Sequence, residues 1–321
     1  GSILGTARSA LAAQQQAIQT AGHNVANAST PGFTRQRAEL SPNFEQRTPV
    51  AALGTGVVVA DLRRVRDALL DVTVRHEAGG EAAASTRKEL LSAVEGVLGE
   101  PSETGLASAM DAMWSAWSDL ATAPTSRAAR SVVLGRAAAV ADTLNNFDAR
   151  LGALRDQTTL RVDQTLVEVN DLTRRVAELN AQVAATEVGG LRAANDLRDQ
   201  RDLAVDRLAA LVGATADERP DGSVQVFAGG YALVDGLVST PLVRTTDVLG
   251  RAALATADAP ARPIRALGGS TEALLGFLNH DLRATQDQLD ATATGLARAV
   301  NAVHAAGQTS DGAAGVPVFV D

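Results

Sequence analysis

No proline falls between Ser126 and Val188, and apolar side chains recur through that run at alternating steps of three and four. Leu144, Phe147, Leu151, Leu154, Thr158, Val162, Thr165, Val169, Leu172, Val176, Leu179 and Val183 make one nearly continuous seam. That spacing predicts a coiled-coil helix, and the consecutive four-residue steps 154–158–162 read as a stutter that locally unwinds the supercoil. At 1.5 Å of rise per residue such a helix is about 90 Å long. An element of that length suits a shaft and fits poorly inside a compact enzyme. The predicted fold class is therefore mainly α with a small β-rich module, arranged as an elongated helical bundle or coiled-coil rod.

Other segments organise around this run. Leu4, Ala7, Leu11, Gln14, Ile18, Ala21 and Val25 repeat with the same a/d spacing. Two alanines and a glutamine make this stripe thin, so the helix is marginal alone and needs a partner. Turn formers from Asn27 to Gly32 stop it. Residues 33–53, with Pro42 and Pro49, read as irregular, and Val57-Val58-Val59 as a short strand. A helix is expected over 67–98. Another has the seam Leu106, Met110, Met113, Trp117 and Leu120, capped by Ser102 or Thr104 and ended by Pro124. Gly189-Gly190 should break the long helix before a further one over 194–212. Pro220-Asp221-Gly222 opens a region of alternating strands up to residue 267. Gly268-Gly269-Ser270-Thr271 caps a last helix with the seam Leu275, Leu278, Leu282, Leu289, Leu296, Val300 and Val303, followed by a turn-like tail. The expected divisions are 1–35, an axial helix and turn motif; 36–66, a connector; 67–213, a helical bundle; 214–267, a β-rich module; and 268–321, a last bundle helix and tail.

Composition narrows the function. The chain is acidic, with formal net charge −8 and pI ≈ 5.1, which argues against nucleic acid or an anionic membrane as partner. No apolar run reaches the roughly 18 residues of a membrane span, and no secretory h-region opens the chain. Cysteine is absent, which removes disulfides, thiolate catalysis and Cys-based zinc sites. His23, His76, His280 and His304 share no metal-ligand spacing and read as solvated or helix-surface residues. Asp196, Asp199, Asp202 and Asp206 are interleaved with Arg198, Arg201 and Arg207. This predicts a solvated helix face held by i,i+4 pairs such as Arg198–Asp202 rather than a cation site. The Gly-Gly pairs lack a phosphate-loop lysine, since Lys88 is the only lysine. Trp114 and Trp117 read as core. No catalytic, cofactor-binding or metal residue is expected.

Two passages carry a resemblance. Ser9 to Gln36 ends in Asn24-x-x-Asn27-x-x-Thr30-x-Gly32-Phe33. It resembles the amino-terminal signature of the axial proteins of the bacterial flagellum, the rod, hook and hook-associated proteins. Asparagine and threonine side chains are suited to close such a turn, and glycine to positive φ. The second passage runs from Asn195 to Asp202, through Asp206–Gly213, to Asp221–Val224. With Gly268–Phe277 and Val300–Gly307 it resembles the junction-forming, hook-associated branch of that family.

The resemblance implies a structural subunit, not an enzyme, in a ring between hook and filament at the extracellular flagellum. It would be exported unfolded by the type III apparatus without a cleaved signal. Implied partners are other copies of the chain, hook protein on one side, a second junction protein or filament on the other, and an export chaperone. No cofactor, nucleic acid or membrane is implied. It also implies a carboxyl-terminal helix, beyond residue 321 in members of this family, that pairs with the Leu4–Val25 seam. A rod or hook subunit is the near alternative; a coiled-coil adhesin and a hydrolase are the distant ones.

Overall fold

The computed structural model describes residues 3–47, 52–99, 102–103, 105–188, 193–265, 267–309 and 312–320. Pro49, Thr104 and the Gly189-Gly190 break lie outside the described residues. The fold is mainly α with small antiparallel sheets. In order the elements are α1 (Ile3–Ala26), β1 (Gln36–Pro42), β2 (Glu45–Arg47), β3 (Ala52–Gly54), β4 (Val57–Arg64), α2 (Ala68–Leu98), α3 (Leu106–Thr122), α4 (Arg127–Glu187) and α5 (Asn195–Val212). There follow β5 (Thr215–Glu218), β6 (Val224–Ala228), β7 (Tyr231–Asp235), β8 (Val238–Ser239), β9 (Leu242–Thr246), β10 (Ala252–Thr256), α6 (Gly269–Gly276), a π-helical turn (Phe277–Asp281) and α7 (Leu282–Ala305). Among the described residues no helix is long and apolar enough to cross a membrane.

The chain forms two compact units. Unit 1 holds residues 1–83, 165–249 and 253–271; unit 2 holds 84–164, 250–252 and 272–321. In unit 1, β1 pairs antiparallel with β4, with a bulge between Glu39 and Leu40. This corrects the irregular reading of 33–53: Arg37, Glu39 and Ser41 alternate with Ala38 and Leu40, a short polar-apolar pattern that Pro42 obscured. The carboxyl-terminal part of α4, α5 and the four-stranded meander β5-β6-β7-β8 enclose Val169, Val176, Leu179, Val183, Val205, Leu208, Val226, Leu233 and Val234. The α4 seam keeps its period and most of its positions, among them Val162, Val169, Val176, Leu179 and Val183. Leu166 and Thr173 are buried where Thr165 and Leu172 were expected, and Leu172 is only half-buried.

In unit 2 the enclosed side chains are Leu90 and Val94 of α2, Met113 and Ala116 of α3, Val133 to Leu151 of α4 at helical spacing, and Phe277, Leu282, Leu289 and Val300. The N-cap of α3 is Gly105, without a side-chain cap bond, so Ser102 does not cap it. In the last helix Leu274 and Phe277 are buried while Leu275 and Leu278 are half-buried. The π turn inserts a residue and rotates the seam there. Trp114 is 46% exposed, a correction to its reading as core. Trp117 is half-buried and meets His304 edge-on at 6.3 Å.

Helix asparagines tie these elements to extended backbone. The Asn170 carboxamide accepts from the N–H of Leu242 and donates to its C=O. Asn180 does the same for Val224, and Asn279, on the π turn, for Ala252. Each side chain replaces a neighbouring strand, so backbone groups facing a helix are satisfied without a sheet partner.

Candidate functional site

α1 has two unlike faces. Leu4, Leu11, Ile18 and Val25 are 81%, 72%, 71% and 78% exposed, and Ala7, Gln14 and Ala21 between them are exposed too. The whole a/d stripe thus faces away from the folded unit. The opposite face is built from small or polar side chains: Ala13 and Thr20 are buried, and Ser9, Ala10, Ala17, His23 and Asn24 are half-buried. That face leans on β1 and β4. The marginal helix therefore finds part of its support in a hairpin.

Close approach at this face depends on Gly56, whose φ is +113°. A Cβ there would lie 2.0 Å from Ser9 Oγ and 3.4 Å from the Thr6 Cα. Gly56→Ala is expected to cost about 1–3 kcal/mol of α1 docking through backbone strain and displacement. Limited proteolysis within 3–26 should speed up correspondingly; an unchanged cleavage rate would contradict this packing.

The turn after α1 is closed by its own side chains. Asn27 Nδ2 donates to the His23 C=O at 3.1 Å, Thr30 Oγ1 to Asn27 Oδ1 at 3.3 Å, and the Phe33 N–H to the Thr30 C=O at 3.1 Å. Gly32 has φ +78°, and a Cβ on it would sit 3.1 Å from that of Leu203 on α5. Phe33 meets His23 edge-on, with ring centroids 5.3 Å apart. Asn24 reaches past the turn to β1, accepting from the Gln36 N–H and donating to its C=O, both at 2.8 Å. Gln36 is itself buried; its Nε2 donates to Asp196 Oδ1 at 3.0 Å, and its Oε1 accepts from Asn195 Nδ2 at 3.3 Å.

The middle of the acidic cluster on α5 is the floor of this site, contrary to its reading as a solvated face, whereas Asp196 is exposed and Asp206 half-buried. Asp199 and Asp202 are buried. Asp199 accepts the Thr34 N–H at 2.9 Å and Arg64 at 3.0 Å. Asp202 accepts Arg64 at 2.5 Å and Arg66 at 2.8 Å, with Arg75 at 3.5 Å. Arg66 also bonds Asp71, and Arg75 bonds Asp206 at 2.6 Å. Burial works against the Arg66 charge, but Asp71, Asp202 and Asp206 outweigh it and raise its pKa. The arginine partners come from β4, the β4–α2 connection and α2, over 120 residues away in sequence, so the charges pair across the fold and not along the helix. The run Arg63-Arg64-Val65-Arg66 was the available signal.

The arginines of α5 turn the other way. Arg198 does not pair with Asp202; it grips Glu187 through two bonds at 2.9 and 2.7 Å and also bonds Glu218. Arg201 is fully buried, donating to Asn180 Oδ1 at 3.0 Å and the Gly222 C=O at 2.7 Å; burial lowers its pKa. The bond from Arg198, outweighing partial burial, holds the Glu187 carboxyl below its ordinary value of 4.5. A depressed folded pKa stabilises the fold above the ordinary value, and that gain disappears as pH falls through the depressed one. Acid unfolding followed by circular dichroism should therefore show a component below pH 4.5 that Arg198→Ala removes. An identical acid profile for the variant would refute the assignment.

Among the described residues no group of histidine and carboxylate side chains is arranged to hold a metal. The arrangement is one of docking: an apolar stripe held outward by a polar, ion-paired anchor.

Residues 91–319 match the family described as "Flagellar hook-associated protein FlgK helical domain", and residues 4–34 match "Flagella basal body rod protein". The chain is 34% identical to flagellar hook-associated protein 1 of Bacillus subtilis over 75% of its own length and 48% of that protein. It is 28% identical to the protein of the same name in Salmonella typhimurium, over 99% of its own length and 59% of that protein. The flagellar hook junction protein FlgK of Burkholderia pseudomallei superposes with a TM-score of 0.69 at 26% identity, covering 77% of this chain and 46% of that one. The chain thus spans about half the length of the relatives it matches.

Proposed function

The chain belongs to the flagellar hook-associated protein FlgK family, and from that membership we propose that it is a structural subunit of the hook–filament junction. In this reading copies of the chain form a ring at the extracellular flagellum, with hook protein below and the next junction protein or filament above. Each subunit arrives unfolded through the type III apparatus, escorted by a chaperone. The absence of cysteine and a terminal helix with a thin seam both suit that passage.

One observation carries the reading. An apolar a/d stripe, Leu4 to Val25, stands outward along a helix whose other face is anchored to its own unit. Soluble monomers rarely leave such a row of apolar side chains uncovered. Coiled-coil spacing fits a second helix against it. Leu11 and Ile18 supply the largest central contacts. Replacing both by serine should leave the melting temperature of the purified protein nearly unchanged, because neither side chain is buried there. The same variant should fail to restore filaments to a strain lacking this protein. Normal filaments would show that the stripe is not the assembly surface, and a sharp fall in melting temperature would show that it packs within the monomer.

A further inference from the structure

α1 is joined to α5 by a relay of amide groups rather than by an apolar core. Asn24, in the last turn of α1, holds both backbone groups of Gln36. The buried Gln36 carboxamide in turn spans Asn195 and Asp196 in the first turn of α5. Asn195 also donates to the Leu62 C=O of β4 at 2.7 Å, so helix, strand and partner strand meet at one glutamine. Such amide pairs are directional: each fixes distance and plane together, which sliding contacts of Ala13 and Thr20 against a hairpin do not.

We propose that Asn24 and Gln36 are positioning residues that set the direction in which α1 leaves α5, and so the way its apolar stripe faces. Neither touches the stripe; they act through the orientation of the helix. The consequence for assembly rests on the stripe being the assembly surface, but the geometric claim stands apart from it.

The chain has no cysteine, so two introduced thiols can be spin-labelled without background. Gln19→Cys and Asp217→Cys place labels at exposed positions of α1 and β5 in unit 1. In this background the distance distribution between labels should be narrow. Asn24→Ala, and separately Gln36→Met, should at least double its width while lowering the melting temperature by no more than about 10 °C, the loss of two hydrogen bonds, one of which in Gln36→Met is to the Asp196 carboxylate. A width unchanged in both variants overturns the proposal. So does a collapse of unit 1 in both, because the pair would then hold the fold and not a direction. Complementation of the deletion strain separates the two readings. Widening with lost filaments supports both, whereas widening with normal filaments keeps the positioning role and removes the assembly reading.

Discussion

Replacing Asp202 by alanine is expected to destabilise unit 1 by about 3 kcal/mol, because it leaves buried guanidinium groups without their shared counter-ion. Arg64, Arg66 and Arg75 converge on this carboxylate, and their side chains retain only 13%, 21% and 11% of their exposure. Removing the charge turns mutual shielding into mutual repulsion at a site water reaches poorly. Asp199, Asp206 and Asp71 stay in place, which keeps the cost at the low end for a broken buried ion pair. Asp202→Asn, with the shape kept and the charge gone, should cost less. Both tryptophans lie in unit 2, so indole fluorescence reports on the wrong unit; urea unfolding followed by far-UV circular dichroism, with hydrogen exchange of the α5 amides, reads the effect. A change below about 1 kcal/mol would place the cluster with exposed ion pairs, which contribute that little.

The same cluster shows where sequence reasoning stops. Helical period together with turn formers, proline and glycine at the ends located α1, α4 and α5 almost to the residue, because spacing and chain breaks are local properties of the sequence. The fate of Asp199 and Asp202 is not local. Their spacing is equally compatible with a solvated face and with a buried floor, and what decides is the return of β4 and α2 across the helix. Gln36 lay inside the recognised signature, but nothing in the residue itself announces a buried carboxamide; its partners Asn24, Asn195 and Asp196 lie 12, 159 and 160 positions away. Strand β1 was hidden for a different reason. A seven-residue strand ending in proline and carrying a bulge lacks the clean alternation on which a strand assignment depends.

The buried face of the long helix offers the largest single effect. Spacing placed Leu172 and Val176 on one seam, whereas Val176 is fully buried and Leu172 half-buried. An aspartate at 176 loses about 2 kcal/mol of apolar burial and adds the cost of an enclosed carboxylate, for a total of about 5 kcal/mol, comparable to the whole stability of a marginal domain. Leu172→Asp should cost only about 1 kcal/mol, since its carboxylate can turn to water. pH distinguishes a buried charge from a lost contact. Burial raises the folded-state pKa of the new aspartate, so its neutral form is tolerated below the unfolded value of about 3.9, and the penalty grows as pH rises through the folded one. Measured against the parent at each pH, the Val176→Asp deficit should therefore be smallest in acid and the Leu172→Asp deficit nearly flat. Equal deficits that both grow with pH would mean that Leu172 is as enclosed as Val176, and equal, pH-independent ones that Val176 is not enclosed at all.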